Sequence, residues 1–318
     1  RILIRQIGGF LALQALASSV LLVVGGVLVL QGELTLGQLV ASELIVNAVL
    51  TSVAKLGKHL EAWYDAMAAV DKLGYLVDLQ TEPESGEVPV RRAEGAAVHA
   101  ASASAGYDPH HPLFQDVTFR LEPGTRAAVV GPEGCGVSAL LDLFFGLRPA
   151  AAGHVTVDEL DLRQWSVESL RRDVALVRHH DFVDGTLVEN LRLGRTDVGL
   201  DDVREALEQV GMLAEALAMP DGLETRIRTG GRPLTTLQRT RLILARALIG
   251  RPRLLLLDEV LDGIDPEAFE QLSRLIFDPQ RRWTVLIATR DPELIRRCSQ
   301  VIQLAPCRLN HPANAHAS

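Results

Sequence analysis

Residues 127–138 read Ala-Ala-Val-Val-Gly-Pro-Glu-Gly-Cys-Gly-Val-Ser, and this stretch decides how the second half of the chain folds. Its first four residues are apolar without alternation, which predicts a strand buried on both faces. Gly131, Gly134 and Gly136 then predict a tight turn into a helix. A strand, a glycine turn and a helix start together make a phosphate cradle. The glycines let backbone N–H groups approach anionic oxygens, and the helix N-terminus adds the positive end of its dipole. Residues 131–138 fit the pattern G-x-x-x-x-G-K-[ST] except at Val137, which stands where the lysine belongs. Ser138 is placed to reach a phosphate-bound magnesium ion.

Further along, residues 254–259 read Leu-Leu-Leu-Leu-Asp-Glu. A buried strand ending in two carboxylates puts both acids at the C-terminal edge of a parallel sheet, where ligands bind. Asp258 is placed to hold magnesium and Glu259 to polarise an attacking water. Taken alone, the pair reads as a solvated strand end; the cradle upstream favours the functional reading. Short apolar runs at 174–177 and 285–288 and helical patterns at 201–209 and 266–276 extend the alternation of an α/β domain.

The first 55 residues read differently. Spans of about 7–30 and 34–54 are rich in Ile, Leu, Val and Ala; Glu43 is the one charge within them, and Glu33 lies in the turn between. Each is long enough for the roughly 20 residues that cross a bilayer core. The short glycine-flanked turn between them predicts a helical hairpin. Arg1 and Arg5 precede it and Lys55 and Lys58 follow it, so both ends are expected on the cytoplasmic side. Apolar residues at 56, 60, 64, 67, 70 and 73 carry the second helix on to about residue 76. Glu43, Asn47 and Thr51 share one face of it, as a polar lining or an interhelical bonding site. Residues 80–106 hold two prolines, several charges and an Ala/Ser tract, and read as a linker with little apolar drive to fold, or at most, just before Tyr107, as a poor edge strand of badly packing small residues.

At 318 residues the chain has room for about two domains. Its net charge of −8 excludes a protein that grips nucleic acid along its whole surface. Three widely spaced cysteines exclude a disulfide scaffold and form no metal spacing. Every lysine lies at 55, 58 or 72, so arginine and histidine are the only cations further on. The first residue is Arg1 rather than methionine, and the expectation is a piece of a longer protein.

On these motifs, residues 107–304 resemble the nucleotide-binding domain of an ATP-binding cassette (ABC) transporter. The preceding helices, joined by GELTLGQL, resemble the last two transmembrane helices of an exporter of that family. The expected fold class is an α-helical transmembrane segment followed by an α/β P-loop ABC-type nucleotide-binding domain. Its divisions are a transmembrane fragment at 1–79, a linker at 80–106, the cassette at 107–305 and a tail at 306–318.

The resemblance implies ATP and Mg2+ as cofactors. It places Gly131, Gly134, Cys135, Gly136, Val137 and Ser138 around the phosphates, with Ser138 and Asp258 on the metal. Glu259 falls at the catalytic carboxylate and Asp265 at the acid closing the D-loop. Tyr107 falls at the adenine-stacking aromatic. His179 replaces the glutamine that senses the γ-phosphate, and Arg290 the switch histidine. The family's LSGGQ appears as Leu234-Thr235-Thr236-Leu237-Gln238. Departures at Val137, His179, Thr236, Leu237 and Arg290 imply weakened chemistry. A lysine–phosphate pair at 4 Å and an effective dielectric near 20 is worth about 4 kcal/mol as an upper guide, or up to roughly three decades in affinity.

In such transporters two chains sandwich two nucleotides, each site taking its phosphate loop from one chain and its LSGGQ from the other. The implied partner is a second half-transporter, with a heterodimer favoured and a homodimer possible. Membrane lipid is also implied, with no nucleic acid, and the inner membrane with the cassette in the cytoplasm. Two functional readings follow. One is an export subunit with impaired ATPase, or the non-catalytic half of a heterodimer. The other is a pseudo-cassette membrane protein with an assembly or regulatory role, or a decaying gene product.

Overall fold

The chain divides into two units, Arg1–Thr81 and Glu82–Ser318. The structure, a computed structural model, describes residues 2–79, 81–82, 85–106, 112–178 and 182–305.

The first unit is a pair of helices, α1 (Ile2–Leu30) and α2 (Leu36–Val77). Gly32 turns the chain with φ +76°. Thr35 then caps α2: its hydroxyl accepts from the Gln38 N–H at 3.3 Å, while Gln38 Oε1 accepts from the Thr35 N–H at 2.9 Å. This reciprocal cap satisfies two donors that a helix start otherwise leaves orphaned. Gly25 lets the two helices approach closely, because a Cβ there would lie 2.2 Å from Leu39 Cδ1. The helix α2 runs to Val77 as its apolar stripe predicts, and the Asp78 N–H closes it on Gly74 O at 2.9 Å.

Among the described residues one segment, Leu36–Val53, is long and apolar enough to cross a membrane, and none of it is buried in the chain. Gln14–Leu30 is a shorter apolar helix. The expectation of two spans is thus met in full length by one. Thr51 donates its hydroxyl to Asn47 O at 2.8 Å, so part of the polar face of α2 is satisfied within the helix.

The second unit is built on a five-stranded parallel sheet in the order β11 (Gln300–Gln303), β3 (Arg126–Val130), β10 (Thr284–Ala288), β9 (Leu254–Asp258), β6 (Val174–Val177). The four leucines of β9 show why such strands read as continuous apolar runs. Leu254 and Leu256 join the core holding Leu140 and Phe144 of α3 (Val137–Phe144). Leu255 and Leu257 join the opposite core. That second core holds Leu207 of α6 (Leu200–Gln209), Leu244 of α8 (Thr236–Ile249) and Leu272 of α9 (Pro266–Phe277). Short helices α4 (Val167–Asp173), α5 (Leu187–Arg192), α7 (Leu213–Leu217) and α10 (Pro292–Arg297) and the two-stranded ladder of β7 (Gly185–Thr186) with β8 (Arg226–Ile227) complete the α/β layers.

The structure corrects the linker reading. Val98–Ala105 forms strand β1, inside an antiparallel sheet of order β2 (Phe114–Leu121), β1, β4 (Ala152–Val157), β5 (Leu160–Asp161). Ala100, Ala103 and Ala105 are fully buried in one core with Phe114 and Phe119. Small side chains suit a strand whose neighbours come this close. A Cβ on Gly153 of β4 would lie 2.2 Å from Ser102 O. The approach to β1 is tied down by Arg253, which donates from Nε to Glu94 O at 2.8 Å and pairs with Asp173 at 3.0 Å and with Asp158. The α/β unit therefore begins at Glu82, well before Tyr107.

Candidate functional site

The end of β3, the glycine turn and the start of α3 lie at the C-terminal edge of the parallel sheet. Gly134 and Gly136 take φ of +77° and +91°, the left-handed region in which a side chain is strained. A Cβ on Gly136 would meet Leu113 Cβ at 2.8 Å, and one on Gly131 would lie 2.4 Å from Cys135 Sγ. Glycine is thus required for shape at both places. Gly136 caps α3 without a side-chain hydrogen bond, so no side chain of the cap competes for the helix's first N–H groups. Cys135 is buried, and its N–H closes the turn on Pro132 O at 3.2 Å. It shapes the loop.

This turn forms one wall of a cleft of about 250 Å³, whose lining includes Gly131, Gly134, Gly136, Val137 and Ser138. Glu259, Thr289 and Arg290 face them. The residues expected around the phosphates therefore converge with Glu259 and Arg290. Glu259, at φ +52°, follows β9 and donates its N–H to Ala288 O at 3.0 Å. Arg290 Nε lies 3.6 Å from Glu259 Oε1, a half-exposed pair of small energetic weight. Asp262 holds the segment that follows β10, accepting from Thr289 Oγ1 at 2.7 Å and from the Arg290 N–H at 3.2 Å.

From the cleft lining, Ser138 Oγ donates to Asp258 Oδ1 at 3.0 Å. The Arg178 guanidinium joins them, donating from Nε to Asp258 Oδ2 at 2.7 Å and from Nη2 to Ser138 O at 3.0 Å. Its Nη1 lies 2.6 Å from Asp142 Oδ1. Burial works against the charge on Arg178, but the hydrogen bonds to Asp258 and Asp142 outweigh it and raise its pKa. Sequence reasoning missed Arg178, Asp142 and Asp262. No local pattern marks them, since the contacts that tie them to the site are made with residues far away along the chain.

A polyphosphate fits the cradle, with open backbone geometry and a helix N-terminus but no lysine. A magnesium ion does not fit the arrangement of its expected holders, because Asp258 and Ser138 are bonded to one another and to Arg178.

The segment Leu234-Thr235-Thr236-Leu237-Gln238 does not line this cleft. It forms the start of α8, where Thr235 caps the helix: its hydroxyl accepts from the Gln238 N–H at 3.2 Å, and Gln238 Oε1 accepts from the Thr235 N–H at 3.0 Å. Leu234 is buried in the core. Asp265 caps α9, accepting from the Ala268 N–H at 3.0 Å. Tyr107 and His179 lie outside the described residues.

A parallel sheet that opens into a glycine loop at a helix start, with Asp-Glu at the end of a strand in the same sheet, defines a P-loop nucleotide-binding domain. Residues 114–262 match the ABC transporter family model, and the chain belongs to that family. It is 30% identical over 268 residues to an uncharacterized ABC transporter ATP-binding protein of Bacillus subtilis, covering 82% of this chain and 46% of the relative. It is 31% identical over 260 residues to an ATP-dependent lipid A-core flippase of Methylococcus capsulatus, covering 81% and 43%. It is 26% identical over 281 residues to a fatty acid ABC transporter ATP-binding/permease protein of Mycobacterium tuberculosis, covering 88% and 44%. The chain spans about half the length of the curated relatives it matches.

Proposed function

We propose that this chain is part of an ABC exporter subunit, with its helical unit in the membrane and its cassette in the cytoplasm, and that its cassette binds ATP weakly. The observation that carries the reading is the convergence of the glycine loop, Ser138, Glu259 and Arg290 on one cleft at the sheet edge. Support for the membrane comes from α2, where Leu44 and Ile45 are about two-thirds exposed. Apolar side chains in that number are stable against lipid or neighbouring helices and costly in water.

Val137 leaves the loop without its point charge, and Thr236 and Leu237 place side chains where the family has glycines. The favoured partner is a second half-transporter with an intact phosphate loop and LSGGQ; beside it, one site would still carry this chain's lysine-free loop and the other its Thr236-Leu237 segment. The printed names of relatives include a lipid A-core flippase and a fatty acid transporter, and an exported lipidic cargo is consistent with both. A second reading, a pseudo-cassette that serves assembly, is favoured by one observation: Asp258 and Glu259 already face arginines of the same chain.

Equilibrium binding of ATP to the full chain in detergent tests the proposal. Saturable millimolar binding is expected. Micromolar affinity would overturn the weakened loop, and absence of saturation would overturn the nucleotide site.

A further inference from the structure

Arg178 directly follows β6 and bonds both residues through which a magnesium ion would be held, Asp258 at its carboxylate and Ser138 at its backbone carbonyl. Asp258 presents one oxygen to Ser138 Oγ and the other to Arg178 Nε, at 3.0 and 2.7 Å. The Ser138 carbonyl takes Arg178 Nη2. Asp142, from the second turn of α3, takes Nη1 at 2.6 Å. The side chains of Arg178, Asp142 and Asp258 are 27%, 10% and 11% exposed, so one guanidinium answers two largely desolvated carboxylates.

A guanidinium does not give up its proton in proteins. A divalent ion entering between Ser138 and Asp258 would therefore meet a permanent positive charge, or would expel it. Expulsion breaks the pairs of Arg178 with both Asp258 and Asp142, leaving Asp142 with Arg148 alone at 3.2 Å on its other oxygen, and breaking a buried pair is strongly destabilising. Magnesium also demands near-octahedral oxygen coordination and dehydrates reluctantly, so it does not share a carboxylate crowded by a guanidinium.

We propose that Arg178 is a built-in cation that takes the place of the magnesium ion at Ser138 and Asp258, so that this cassette binds a nucleoside triphosphate without a divalent metal. The inference rests on the nucleotide reading above. It makes Arg178 a specificity-determining residue: the ligand is the metal-free triphosphate.

The test is ATP affinity of the full chain in detergent, read by displacement of a fluorescent N-methylanthraniloyl ATP, in excess Mg2+ and in EDTA. The wild type is expected to give the same affinity within about threefold in both. Arg178→Gln is expected to bind roughly tenfold or more tightly with Mg2+ than with EDTA. Because that variant leaves two carboxylates together, Arg178→Gln with Asp142→Asn is measured beside it. This pair removes one charge of each sign and is expected to show the same metal dependence.

A wild type that loses tenfold or more in EDTA overturns the proposal and leaves the nucleotide reading standing. Metal independence that persists in the double variant also overturns it, since the cause is then not Arg178. Absence of binding by wild type and variants in both buffers overturns the nucleotide reading and this inference with it.

Discussion

Replacing Val137 with lysine restores the missing charge at the first residue of α3, on the wall of the phosphate cleft. A full lysine–phosphate attraction at 4 Å and an effective dielectric near 20 is about 4 kcal/mol. The cleft is open, and Glu259 lines it and competes for the new ammonium. Half the ideal value, ~2 kcal/mol, is therefore the working figure, which is roughly 30-fold in affinity. A cation in the first turn of a helix opposes the dipole and costs about 0.3–1 kcal/mol, so the nucleotide-free variant is expected to melt slightly earlier. Turnover is expected to stay at background, because the side chains of Thr236 and Leu237 and the arginine at 290 are untouched. The assay is ATP displacement and phosphate release by the full chain in detergent. Val137→Gln serves as a control of polar character without charge and is expected to tighten nothing. A gain below about threefold for the lysine variant, or an equal gain for glutamine, refutes the charge argument. Restored turnover would refute the weight given to positions 236, 237 and 290.

Wild-type chain alone is expected to release no phosphate above background, and a rate of about 1 s⁻¹ that vanishes in Glu259→Gln would overturn that expectation. Arg253→Leu is expected to lower stability by about 3 kcal/mol, since it breaks two buried pairs, leaving Asp158 with only the Ala97 N–H and Asp173 with only the half-exposed Arg91. Arg290→Ala, which breaks a half-exposed pair, should cost less than about 1 kcal/mol, and thermal melts of the two variants side by side check the contrast. Hydrogen bonds from Arg163 hold the Asp161 carboxyl down at about 2. Asp161 therefore adds stability that is whole above its unfolded pKa of about 4 and is lost as pH falls through about 2. Asp161→Asn should remove that part of the acid dependence in melts across this range, and an unchanged profile would refute the assignment.

The parallel strands were legible because each is buried on both faces, and runs such as 254–257 need no periodicity to stand out. The cradle was legible because its glycines answer a backbone demand written at fixed spacing, which the φ values at Gly134 and Gly136 meet. Residues 98–105 were legible only as a poor edge strand. Alanine and serine carry little apolar signal, and only pairing with β2 and β4 on both edges makes them a buried strand. Arg178 was not legible. It bonds a carboxylate 80 positions away, and no short pattern encodes such a pair. The sequence also pointed to Leu234–Gln238 as a site element. Within this chain the segment starts α8 and does not line the cleft.

All three lysines of the chain lie on α2, in the helical unit, and the α/β unit has none. Amine chemistry can thus address one unit and leave the other alone. A succinimidyl dye or an amine-coupled support will attach through α2, where Lys55 and Lys72 are exposed, and will leave every face of the cassette unmodified. The same asymmetry means that acetyl or ubiquitin transfer to lysine has no acceptor anywhere from Glu82 to Ser318.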